Sequence, residues 1–177
     1  RAAADVAAAP PASQQHVVPL APPVGGTSSA RQATGTGVVL DFTRHMAGLL
    51  DLDPDARTAR VQPGLVLDTL RSAAAPHGLT FGPDPSTHSR CTLGGMIGNN
   101  SCGSHSVAWG TTADNVAGLT VVTADDSAGA SRRLERGTWD GAPDGLRALV
   151  DADLALLRTG FPDLPRRISG YALDALL

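Results

Sequence analysis

Apolar and polar positions change period several times along the chain. Val66, Leu67, Leu70 and Ala74 fall on one helical face, and Pro76 and Gly78 close that helix. Arg57–Gln62 (RTARVQ) alternates, as a strand with one wet face does. Gly118–Ala124 (GLTVVTA) reads as a strand, with Asp125–Asp126 turning it toward Arg132–Leu134. Residues 143–158 carry Leu146, Leu149, Val150, Ala152, Leu154 and Leu157 on the apolar side of a helix. Toward the amino end, the alanines of residues 1–15 predict a short helix that Pro10 and Pro11 stop. The β-branched HVVPL of His16–Leu20 predicts a strand, and GVVLDF at Gly37–Phe42 a second, with a turn at Leu52–Ala56. Pro63–Gly64 marks a break, and the tail PDLPRRISGYALDALL shows no clear period. Helices and strands mix without a regular βαβ alternation, so the pattern predicts the α+β class.

Two stretches keep no period: Ala21–Thr36 and Pro83–Val116. A loop of more than thirty residues inside a compact domain is functional or disordered. The apolar knots at Met96–Ile97 and Val107–Trp109 argue for a folded binding surface. Glycine lets the main chain approach a ligand that a Cβ would push away. Pro23–Gln32 and Pro83–Asn115 both offer successive backbone N–H groups, hydroxyls and glycine turns, an array that suits a pyrophosphate. Neither matches GxxxxGK[ST] or GxGxxG, and the chain has no lysine.

Composition narrows the classes. A net charge of −3 and the absence of an arginine cluster interleaved with aromatics give no reason to expect nucleic acid. No run of eighteen apolar residues predicts a transmembrane helix, and RAAADVAAAPPAS lacks a secretory pattern. The chain starts on Arg1 and ends on Leu176–Leu177, so a piece of a longer protein is expected. Two cysteines suit a reducing, cytoplasmic setting. His88, Cys91, Cys102 and His105 have the spacing of a zinc site, HxxC then CxxH, but no ββα or ribbon pattern follows. A Cys–His nucleophilic pair lacks any third, orienting group in the pattern. Asp84 and Asp114 have acid–base potential, although turn formation and capping explain both more cheaply. Trp109 reads as a packing anchor able to lean on a flat ligand. His45 and His77 read as surface positions, and Arg166–Arg167 as a solvated pair.

The stretch GTGVVLDFTRHM…ARVQPGLVLDTL…PHGLTFGPDPSTHSRCTLGGMIGNNSCGSHSVAWGTTADNV resembles the FAD-binding (PCMH-type) domain of FAD-linked oxidases, over residues 16–177. Bacterial D-lactate, glycolate and D-2-hydroxyglutarate dehydrogenases are its nearest look-alikes. The resemblance implies two α+β subdomains clasping FAD, expected here at residues 16–62 and 63–177 after an irregular segment 1–15. It implies that Gly25, Gly26, Thr27 and Ser28 face the phosphates, with Gln32 closing that loop. Pro83, Asp84 and Ser86 match the PDPxS element beside the flavin. Thr92, Gly94, Gly95, Asn99, Ser101 and Gly103 match the turn around the cofactor, and Gly110 and Asp114 the YGxTxD element, with Trp109 in place of tyrosine.

The implied activity is oxidation of a small D-2-hydroxy acid by hydride transfer to FAD, with the electron acceptor unassigned and membrane association open through it. The catalytic substrate contacts, and any iron–sulfur cluster, are expected outside this chain. Covalent flavin attachment through His88, Cys102 or His105 stays open. The family's first loop reads PRGGGTSLAGQ where this chain has PPVGGTSSARQ, placing Pro23 for arginine and Val24 and Arg31 for glycines. A left-handed residue at the first-glycine position would strain Val24. The alternative expectation is therefore a degenerate domain acting as a non-catalytic scaffold, and a more distant one a zinc-binding module.

Overall fold

A computed structural model describes residues 3–22, 24–28, 35–123, 131–164 and 171–176. It divides into two compact units: residues 1–116 with 122–131, and residues 117–121 with 132–177. Helices and two-stranded sheets mix in the α+β manner expected from the sequence.

In the first unit, helix α1 runs Ala3–His16, straight through Pro10 and Pro11. The expected stop at the prolines does not occur. Each proline loses an N–H donor and crowds the carbonyl four residues back, a cost set against flanking alanines that are strong helix formers and against the burial of Pro10. The helix ends where a strand was expected. Val18 N donates to the Ser13 carbonyl (3.0 Å) and Val17 N to that of Gln14 (3.2 Å). This is a Schellman closure with Val17 left-handed at φ 53°. Strand β1 is therefore only Leu20–Ala21, and it pairs in parallel with β2, Val38–Val39.

Strands β3 (Leu49–Asp53) and β4 (Thr58–Val61) form an antiparallel hairpin. Its turn is fixed by the Asp53 carboxylate, which accepts from the backbone N–H of Asp55 (3.0 Å) and Ala56 (2.9 Å). The sequence pattern marked β4 and the turn but not β3. Helix α2 (Leu67–Ala74) buries Leu67, Leu70 and Ala74, the face that the periodicity picked. A 3-10 turn over Ala75–His77 and Gly78 at φ 69° close it.

The stretch Pro83–Val116 is not the coreless loop its composition suggested. It contains α3 (Leu93–Gly98), α4 (Ser106–Trp109) and a 3-10 turn at Ala113–Asn115. Cys91, Leu93 and Met96 join Leu65, Leu67 and Leu70 in the core, with Leu49, Val61 and Phe81 packed against them. Leu67 N donates to the Cys91 carbonyl (3.1 Å) and Leu93 N to that of Leu65 (2.9 Å), stitching the head of α2 to the head of α3. A Cβ on Gly94 would lie 2.6 Å from Pro63 Cβ, so glycine is what lets the two segments meet.

The second unit pairs β5 (Gly118–Val122) with β6 (Ser131–Glu135). The single helix expected over residues 143–158 is two, α5 (Leu146–Ala152) and α6 (Leu154–Thr159), broken at Asp153. Val150 and Leu157 are buried while Leu149 and Leu156 face outward. No helix among the described residues is long and apolar enough to cross a membrane.

Candidate functional site

The two glycine-rich stretches meet at Thr92. A Cβ on Gly25 would sit 3.2 Å from the Cγ2, N and Oγ1 of Thr92, and one on Gly95 would sit 3.3 Å from Thr92 Oγ1. Gly95 also faces Val24 Cβ at 3.8 Å and Gly25 N at 4.0 Å from that position. Thr92 is 1% exposed, and its hydroxyl has no hydrogen-bond partner among the described residues. A buried hydroxyl without a partner is costly. Here it lies between two glycines, where main chain from both stretches converges.

The left-handed residue of the first turn is Gly26, at φ 60°. Val24 is not among the described non-glycine residues with positive φ, and its N–H donates to the Pro22 carbonyl at 2.9 Å. The expected strain at Val24 is thus absent, because the turn puts its left-handed step two residues later. Gly26 and Thr27 are exposed and Ser28 is half-buried. Gln32, with Pro23 and Arg31, lies outside the described residues.

A second focus forms around Asp84. Its carboxylate accepts from His105 N (3.0 Å), Ser104 Oγ (3.1 Å) and His105 Nδ1. These bonds, the His105 side chain first, hold the Asp84 carboxyl down to about 2. His105 stacks on Trp109 with ring centroids 4.8 Å apart and planes 18° from parallel. Trp109 is half-exposed and, with Thr80, Gly82 and Asn115, lines an open pocket of about 220 Å³. A Cβ on Gly82 would come 2.6 Å from Trp109 Cβ.

Other glycines expected at the cofactor make room for the protein's own chain. Gly103 packs on Asp84, where a Cβ would come 2.2 Å from the backbone oxygen. Gly110, at φ 75°, backs onto Asp114, which accepts from Thr111 N (2.7 Å) and Oγ1 (2.8 Å) as the turn reading implied. Ser101 offers its carbonyl to Thr112 N (2.9 Å) and Oγ1 (2.6 Å). Pro83 is fully buried, whereas Ser86 and Asn99 are exposed.

The zinc spacing does not become a cluster. His88 Nδ1 pairs with Asp68 (2.8 Å), His105 with Asp84, and Cys91 is buried in the core, where desolvation pushes its thiol up. Among the described residues no group of three or more histidines, cysteines or carboxylates is placed to hold a metal.

Sequence reasoning missed Arg71. From α2 its Nε donates to the Phe81 carbonyl (3.1 Å), and its Nη2 lies within bonding distance of the carbonyls of Phe81 (3.0 Å), Gly82 (3.4 Å) and Pro83 (3.2 Å). The only available signal was a cation on a helix whose other face is apolar.

The FAD binding domain family model matches residues 1–128. The D-2-hydroxyglutarate dehydrogenase of Pseudomonas putida is 36% identical over 169 residues, 90% of this chain and 17% of that protein. Glycolate oxidase subunit GlcD of Bacillus subtilis is 41% identical over 114 residues, 63% of this chain and 24% of that protein. The chain therefore spans about a fifth of the length of these relatives. Among solved structures, 6-hydroxy-D-nicotine oxidase from Arthrobacter nicotinovorans superposes with a TM-score of 0.67 at 24% identity, covering 76% of this chain and 28% of that one. An alkyldihydroxyacetonephosphate synthase gives 0.61 at 23%, over 76% and 27%. These likenesses agree with the α+β, PCMH-type fold expected from the sequence.

Proposed function

The chain belongs to the FAD binding domain family, and from that premise we propose that it is the cofactor-holding part of a flavin enzyme that oxidises a small D-2-hydroxy acid. In this reading the turn Gly25–Ser28 and the turn Thr92–Gly95 hold the FAD pyrophosphate between them. The observation that carries it is the Thr92 hydroxyl: buried, without a partner, and flanked by two glycines whose missing Cβ atoms leave main chain close by. A phosphate oxygen accepts hydrogen bonds from such neutral donors, so the residues present fit the group.

The bound flavin would supply the hydride acceptor. This chain's residues would bind and orient it. Asp84, His105 and Trp109 form a fixed polar and aromatic wall, and no group here is assigned to take the substrate's proton. The hydroxy-acid class is supported by relatives named D-2-hydroxyglutarate dehydrogenase and glycolate oxidase. Two observations bear on the alternatives. Val24 carries no left-handed strain, which removes one reason for a degenerate scaffold, while the Pro23 and Arg31 changes lie outside the described residues. The His–Cys spacing forms no metal group among the described residues, which weakens the zinc module.

The test is anaerobic addition of D-2-hydroxyglutarate, D-lactate or glycolate to the FAD-loaded polypeptide that contains this chain. Bleaching of the flavin absorption by at least one of them, and not by L-lactate, is expected. Unchanged absorption with all three would contradict the proposal.

A further inference from the structure

Two side chains of α2 grip the segment that leads into the Asp84 focus. Asp68 and Arg71 stand three residues apart, and thus on one helical face. Asp68 takes the far end of the segment, pairing with His88 Nδ1 at 2.8 and 2.9 Å. Arg71 takes the near end, its guanidinium directed at three successive carbonyls, those of Phe81, Gly82 and Pro83. The next residue is Asp84, whose carboxylate orders Ser104 and His105, and His105 in turn stacks on Trp109.

We propose that Arg71 is a positioning residue for the cofactor pocket, setting the geometry of Asp84, His105 and Trp109 through the Phe81–Pro83 backbone. The inference rests on the FAD reading for its purpose but not for its geometry. Three carbonyls pointing one way repel each other and need a cation or several donors. A planar guanidinium meets that need with fixed N–H directions, whereas a lysine ammonium is a point charge on a flexible stem. Gly82, in the same gripped segment, runs so close to Trp109 that a Cβ there would come 2.6 Å from Trp109 Cβ, and both line the pocket, so one side chain bears on both the pocket wall and the Asp84 relay.

The test uses the full chain in a Trp139→Phe background, leaving Trp109 as the sole tryptophan. Arg71→Met and Arg71→Lys are each compared with the parent without ligand, after circular dichroism has established a folded state. Released from the clamp, Asp84 should titrate nearer to 3.8 than to about 2 by carboxyl NMR. The Trp109 emission should move to the red, and FAD should bind about tenfold more weakly. If Arg71→Met does not fold, Arg71→Lys keeps the charge, loses the fork and is read in the same way. An Asp84 titration and a Trp109 spectrum unchanged in a folded variant would overturn the proposal. Failure of the parent chain to bind FAD would instead sink the cofactor reading, while the ligand-free measurements still decide the role of Arg71.

Discussion

At the scale of single residues, Thr92 and Asp84 make opposite demands on solvent. Thr92 holds a hydroxyl out of water with nothing to bond, an arrangement that favours an acceptor brought by a ligand. Thr92→Val keeps the shape and removes the orphan. The ligand-free chain is then expected to be as stable as the parent or up to about 1 kcal/mol more stable, while FAD affinity falls about tenfold. Chemical denaturation and FAD titration of the same variant check both halves. Asp84 is satisfied three times over, so its folded pKa lies near 2 against an ordinary 3.8. Its contribution to stability is therefore complete above about 3.8 and is lost as pH falls toward 2. Asp84→Asn should flatten that part of the acid-unfolding curve. Cys91 gives the mirror case: burial raises its thiol above 9.0, so its contribution is full below that value and fades as pH rises past it.

Among the elements, α2 and β4 were legible because their sequences carry a period of 3.6 or 2, and β5 because it is rich in β-branched residues. What failed to show has particular causes. Helix α3 is hidden because Gly94–Gly95 dilutes its composition, yet those glycines are needed for close approach to Pro63 and Thr92. Gly94→Ala is expected to cost about 1–3 kcal/mol by overpacking, read as a lower unfolding midpoint. Val17–Val18 has strand composition but forms a helix cap, since the Schellman bonds outweigh β propensity there. A left-handed valine costs about 1–2 kcal/mol, and Val17 is 90% exposed with little packing to lose. Val17→Gly should therefore stabilise the chain, by about 1 kcal/mol at most after the entropy of glycine is counted. The site was legible in part. Composition marked the two glycine-rich loops, and the resemblance to the FAD-binding domain singled out Gly25, Thr92 and Gly95, which do converge. Arg71 was invisible, because a clamp on carbonyls depends on where the following loop returns, which no local pattern encodes.

For the whole molecule, the first unit carries both the core and the candidate site. Leu65, Leu67 and Leu93 of the core adjoin in sequence the Val66–Thr92 bridge on which the Thr92 junction stands. Cofactor binding and folding of this unit should therefore be linked, a ligand that binds only the folded form stabilising it by RT ln(1 + [L]/Kd). At a hundredfold excess over Kd that is about 2.7 kcal/mol. The most direct measurement is the thermal unfolding of the chain across a titration with FAD, with Thr92→Val alongside. The account predicts a midpoint that climbs with FAD concentration in the parent and much less in the variant. A folded parent whose midpoint does not respond to FAD, or a variant that responds equally, would contradict it.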